Sequence, residues 1–209
     1  MTPRELAKAA IARGALQKVK ELTSFVSVIR DRELGVIVEI GTARGGMFYL
    51  WTQLAPDAAE IISIDLPGGA FGGGYTEAEI EKLRAYAKPG QRVHFLRSDS
   101  HSPSTRERLR SILGSRPIDL LMIDGDHTYE GVKADWKDYS TLVAHDGVIV
   151  LHDILLHPKV PSCQVDRLWR ELKPQFAHIE IVDPFDERGW GPWGGLGVIY
   201  YTKLSGGDA

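Results

Sequence analysis

Seven short runs rich in Val, Ile and Leu are spaced along the chain, and helix-patterned segments fill every gap between them except the last. The runs are VIVEI (36–40), IISIDL (61–66), VHFL (93–96), IDLLMID (118–124), GVIVL (147–151), HIEIV (178–182) and GVIYYT (197–202). A β-branched run with no polar alternation suits a strand buried on both faces. Strands alternating with helices predict an α/β fold: a Rossmann-like, doubly wound, mostly parallel sheet with helices on both faces. The last gap leaves no room for a crossover helix, so the seventh strand is expected antiparallel to its predecessor.

Helical spacing of Leu6, Ala9, Ala10, then Leu16, Val19, Leu22, Val26 and Ile29 predicts two helices over 4–13 and 15–31, broken at Gly14. Further helices are expected over 47–54, from about Thr76 (a capping box with Glu79), after Ser104 or Thr105, over 129–142 and over about 163–173. One domain is expected: residues 1–33 as a helical segment packing on the core of 34–205. A length of 209 residues suits that size.

A formal net charge of −3 argues against nucleic acid or an acidic membrane as partner. No apolar run approaches the roughly 20 residues of a membrane span. The N-terminus MTPRELAKAAIARG lacks the apolar core of a signal peptide. Cys163 is the single cysteine, so neither an intrachain disulfide nor a cysteine-based zinc cluster is available. A cytoplasmic protein, possible as a homo-oligomer, is the expectation.

In open parallel sheets ligands bind beyond the carboxyl ends of the strands. The first strand ends VEIGTARGG, placing Glu39 before a turn built on Gly41, Thr42, Ala43, Gly45 and Gly46. Such a turn points backbone N–H groups at a ligand; a tight turn with packing glycines would use the same residues. Its GxxxGG spacing is not the GxGxxG of dinucleotide binding, which weakens an NAD(P)-dependent oxidoreductase as the alternative. Asp65 ends the second strand, where a carboxylate can bond vicinal ribose hydroxyls or cap a turn. Ser98, Asp99 and Ser100 follow the third strand and offer a polar edge to a base, or simply a turn. The fourth and fifth strands end in Asp124 with His127 and in His152 with Asp153. Like charges brought this close need a cation or a proton between them.

Taken together, VEIGTARGG, SIDLPGG, RSDS and IDGDHTYEGVKADWKDYSTLVAHDGVIVLHDI resemble class I S-adenosylmethionine-dependent methyltransferases. The branch is the one that includes cephalosporin-hydroxylase-like proteins and macrolide-sugar O-methyltransferases, and the resemblance covers roughly residues 34–155. It implies a seven-stranded sheet with an antiparallel last strand. Glu39, Gly41 and the following turn would hold the methionine part of S-adenosylmethionine, Asp65 the ribose, and Ser98–Ser100 the adenine. Asp124 would border the cofactor and, with Asp153, hold Mg2+ or another divalent cation. His127 would be the general base. Relatives often carry a carboxylate just before the last acid; here His152 stands there as a further candidate ligand.

The function implied is O-methylation of a small hydroxylated acceptor such as a sugar or sugar-bearing natural product. Its competitors are a non-catalytic S-adenosylmethionine-binding protein and an oxidative activity using His127, His152 and Asp153. An imidazole with an ordinary pKa near ~6.5 suits a base; His127 could equally bond the backbone at a helix start. His152 could steady Asp153 or point into the core. Gly68–Gly74 around Phe71 reads as a flap over the cofactor. Trp190 and Trp193 read as a lid or ring platform, or as packing on the sheet edge. The N-terminal helices could cover the substrate side or pair with a second copy.

Overall fold

The computed structural model describes residues 1–72, 74–185 and 192–202. Seven strands form one sheet: β1 (Val36–Ile40), β2 (Glu60–Asp65), β3 (Arg92–Arg97), β4 (Ile118–Ile123), β5 (Val143–His152), β6 (Ala177–Ile181) and β7 (Leu196–Tyr201). Their order is β3-β2-β1-β4-β5-β7-β6. β7 lies between β5 and β6 and is antiparallel to both, while the other pairings are parallel. The chain winds outward from β1 to β3, then returns to place β4 on the other side of β1. This reversal opens a crevice at the carboxyl ends of β1 and β4.

Side chains alternate across the pleat and feed two cores. Ile37, Ile61, Leu120, Met122 and Val150 pack with α1 (Pro3–Ala12), α2 (Val19–Ile29), α3 (Gly46–Leu54) and α4 (Glu77–Arg84). Val38, Ile40, Ile62, Leu121 and Ile149 pack with α5 (Pro103–Leu113), α6 (Tyr129–Tyr139) and α7 (Val165–Leu172). Among the described residues no helix is long and apolar enough to cross a membrane.

Three local expectations need correction. The second helix begins at Val19 rather than at residue 15. Gly14 takes φ +103° and Ala15 N–H closes onto Ala10 C=O at 3.1 Å, so residues 15–18 run outside the helix. A Cβ at Gly46 would lie 1.9 Å from Ala15 N, which shows how closely this connector sits on the start of α3. The cap of α5 is Ser102, because Pro103 takes the first helical position, where its missing N–H costs nothing. The helix after β4 ends at Tyr139, a 3-10 turn spans Ser140–Leu142, and β5 starts at Val143.

Candidate active site

The turn after β1 is shaped by close approach. Gly41 has φ +87°, and a Cβ there would lie 2.0 Å from the carbonyl oxygen of Asp124. No side chain fits between the ends of β1 and β4. Ala43 adopts φ 49° and donates its N–H to Asp65 Oδ2 at 2.5 Å, tying the turn to the end of β2.

Beyond these ends lies a cavity of about 260 Å³. Gly41, Ala43, Asp65, Ser98, Asp99, Ser100 and Asp124 line it, as expected for residues at adjacent strand ends. Glu39, Thr42, Gly45 and Gly46 do not. Thr42 is buried, with Oγ1 donating to Glu39 Oε2 at 2.6 Å. A Cβ at Gly45 would meet Leu83, so this glycine, like Gly46, serves helix packing.

Glu39 is fully buried below the turn and accepts from Trp51 Nε1 at 2.9 Å. Burial pushes its carboxyl up to about 8, against the hydrogen bonds from Thr42 and Trp51. Its folded-state pKa thus exceeds its ordinary value. The stability it contributes is complete below about pH 4.5 and is lost as pH rises through about 8. Glu39→Gln is expected to flatten the fall of melting temperature between about pH 5 and 8 in the ligand-free protein. Parallel wild-type and variant curves would contradict the buried, protonated carboxyl.

Asp124 also faces a second group of residues. His152 Nδ1 lies 3.2 Å from Asp124 Oδ1 and 3.5 Å from Asp153 Oδ1. His127 spans both acids, with Nε2 3.3 Å from Asp124 Oδ1 and Nδ1 3.0 Å from Asp153 Oδ2. Four residues at the ends of β4 and β5 therefore converge. Asp153 sits at φ 59°, the left-handed turn that leads the chain away from β5.

This geometry moves His127 away from the ordinary imidazole value. Burial works to lower it, but hydrogen bonds to Asp124, Asp153 and Cys163 outweigh burial and hold it well above the imidazole range. His152 is lifted to about 9 because Asp153 and Asp124 overcome its burial. In turn, the two imidazoles outweigh burial at Asp153 and hold it below the carboxylate range.

Several neighbours were not singled out as site residues from sequence. Gln17 reaches in from the connector before α2 and donates from Nε2 to Asp124 Oδ2 at 2.9 Å. Cys163 is buried with Sγ 3.8 Å from His127 Nδ1. His101 lines the cavity with Nε2 3.3 Å from the fully buried Asp135, whose carboxylate lifts the imidazole to about 9. Phe71, from the glycine-rich loop, lines the cavity and stacks on His127 with centroids 4.9 Å apart at 11°. Trp193 is buried rather than presented as a platform, and Lys18 Nζ lies 5.2 Å from its ring centroid. Trp190 lies outside the described residues.

A divalent cation fits the geometry of Asp124, His152 and Asp153, whose ligand atoms lie within 4.8 Å of one another. The donors are two carboxylates and an imidazole, not an all-oxygen set.

A family model described as a methyltransferase domain matches residues 38–154. The uncharacterized protein y4gI of Sinorhizobium fredii is 29% identical over 182 residues, which are 86% of this chain and 18% of that protein. Solved structures share the fold at lower identity. MycE methyltransferase of the mycinamycin biosynthetic pathway, in complex with Mg, SAH and mycinamycin VI, has a TM-score of 0.65 and 14% identity. The match covers all of this chain and 57% of MycE. TomG, an O-methyltransferase of tomaymycin synthesis from Streptomyces achromogenes in complex with SAM, has a TM-score of 0.60 and 18% identity over 93% of this chain and 88% of its own. The O-methyltransferase from Bacillus cereus in complex with SAH has a TM-score of 0.63 and 15% identity, covering 96% and 90%.

Proposed function

Because the chain belongs to the methyltransferase-domain family, matched over more than half its length, we propose that it transfers a methyl group from S-adenosylmethionine to a hydroxyl of a small acceptor. The acceptor class is a sugar or sugar-bearing natural product, and the setting is cytoplasmic. The observation that carries this reading is the double position of Asp124. It lines the cavity at the strand-order reversal and also belongs to the His127–His152–Asp153 cluster. A methyl donor in the cavity would therefore adjoin the cluster that handles the acceptor's proton.

Gly41 and Ala43 would bound the methionine part of the donor, Asp65 Oδ1 would accept from ribose, and Ser98–His101 would border the base. The donor's sulfonium supplies an electrophilic methyl. The acceptor oxygen forms a bond to the methyl carbon as the carbon–sulfur bond breaks, and sulfur keeps that electron pair as a neutral thioether. The hydroxyl proton passes to His127 Nε2, while Asp153 holds Nδ1–H. A positive sulfonium beside Asp124 would oppose the charged form of His127 and favour the neutral imidazole that accepts the proton. A cation on Asp124, His152 and Asp153 would grip the acceptor oxygen and lower its pKa.

The mycinamycin and tomaymycin enzymes support the choice of a natural-product acceptor, and the net charge of −3 speaks against nucleic acid. The test is incubation with methyl-labelled S-adenosylmethionine and a panel of glycosides, sugar nucleotides, phenols and amines. Label on a hydroxyl oxygen supports the reading; transfer confined to nitrogen or carbon acceptors overturns it.

A further inference from the structure

His152 ends β5 almost fully buried, at 4% exposure. Its Nδ1 faces Asp124 Oδ1 and Asp153 Oδ1. Its Nε2 is also buried and has no hydrogen-bond partner among the described residues. Beside Nε2 is Gly194, where a Cβ would lie 3.7 Å from that nitrogen and 3.8 Å from Glu21 Oε2. Glu21, on α2, is 1% exposed. Its other oxygen accepts from the backbone N–H of Asp183 at 3.0 Å. The imidazole thus has a buried carboxylate on its Nε2 side and two carboxylates on its Nδ1 side.

A neutral imidazole carries one proton. Without a metal, Nδ1–H sits between the two carboxylates. A divalent ion in that space would replace this proton, be bound by the Nδ1 lone pair and leave the ring's one proton on Nε2. The spacing suits one: ligand atoms about 2.0–2.2 Å from a tetrahedral ion stand roughly 3.3–3.6 Å apart. Nδ1 lies 3.2 and 3.5 Å from the two carboxylates, and all three ligand atoms lie within 4.8 Å of one another. Metal-bound histidines commonly direct the other ring nitrogen at a carboxylate, and Glu21 is a buried carboxylate near that side of the ring. Nitrogen donors favour borderline ions such as zinc or cobalt, whereas magnesium prefers oxygen throughout.

We propose that Asp124, His152 and Asp153 form a three-ligand site for a zinc-type divalent ion, selected over magnesium, with Glu21 as the positioning residue for His152. Three protein ligands leave a position open for the acceptor oxygen. The catalytic meaning of the site rests on the methyl-transfer reading; its metal preference does not.

The test uses the full chain, stripped by chelator and titrated with Co2+, then challenged with Zn2+ or Mg2+, with S-adenosylhomocysteine binding measured in parallel. Visible ligand-field absorption is expected from Co2+, displaced by equimolar Zn2+ and retained in a hundredfold excess of Mg2+. Glu21→Gln should weaken Co2+ binding about 10–100-fold. His152→Asp, which makes the set all oxygen, should shift the preference toward Mg2+, an exchange that a merely structural histidine would not produce. Displacement of Co2+ by equimolar Mg2+, or an unchanged preference in His152→Asp, would overturn the assignment. So would a thiolate-to-cobalt band, which would move the ion to Cys163. Normal homocysteine-ligand binding without Co2+ binding sinks the metal inference alone, and the converse sinks only the methyl-transfer reading.

Discussion

Replacing His127 with glutamine is expected to slow single-turnover methyl transfer by roughly 10²–10⁴-fold, the usual worth of a positioned base. Glutamine keeps a polar side chain of comparable reach but cannot take the proton of a hydroxyl. The geometry makes the loss specific. Asp153 Oδ2 lies 3.0 Å from Nδ1, a shorter contact than the 3.3 Å between Nε2 and Asp124 Oδ1. Nδ1–H is therefore the better-held proton, and Nε2 is the nitrogen able to release its partner and meet the acceptor. S-adenosylhomocysteine affinity should hardly change, because His127 is not among the residues lining the cavity. A structural histidine would leave the opposite signature: a lower melting temperature, from lost contacts to Asp153 and Phe71, with a near-normal rate per folded molecule. Single-turnover transfer to an acceptor found in the panel, with thermal melting of the same variant, separates the two.

The strand ends were legible because two independent regularities meet there. β-branched runs locate buried strands, and parallel topology forces their carboxyl ends to one edge. Asp65, Asp99, Asp124 and Asp153 therefore converge although they are scattered in sequence. The antiparallel β7 was legible from the missing crossover, but its insertion between β5 and β6 was not, since hairpin neighbours say nothing about a third partner.

The contribution of the N-terminal segment was hidden for a different reason. Leu16, Val19 and Leu22 keep helical spacing, which masks the extended connector that carries Gln17 to Asp124, 107 positions away. Glu21 looks like an ordinary polar helix position, and only the packing of α2 near β6 buries it. Cys163 is similar. Gln164 N–H donates to His127 C=O at 2.7 Å, and that backbone bond brings the thiol to the imidazole without any motif. Gly45 and Gly46 carry a double signal, because glycines near a ligand loop are as readily demanded by helix packing as by a ligand.

In the proposed reaction the cavity at the strand-order reversal would hold the methyl donor, with Asp65 on its ribose. Asp65 Oδ2 already accepts the Ala43 N–H at 2.5 Å, leaving Oδ1 to face the ligand. Asp65→Asn can keep the first bond through its carbonyl while turning the second acceptor into a donor, so the turn is retained and the ribose site is lost. The decisive measurement is calorimetric titration of S-adenosylhomocysteine into both proteins. Wild type should bind with micromolar-order affinity, about 8 kcal/mol, and Asp65→Asn about 10–100-fold more weakly, the equivalent of one charge-assisted hydrogen bond. No binding by the folded wild type, or equal affinity in the two proteins, would contradict a donor held in this cavity by Asp65.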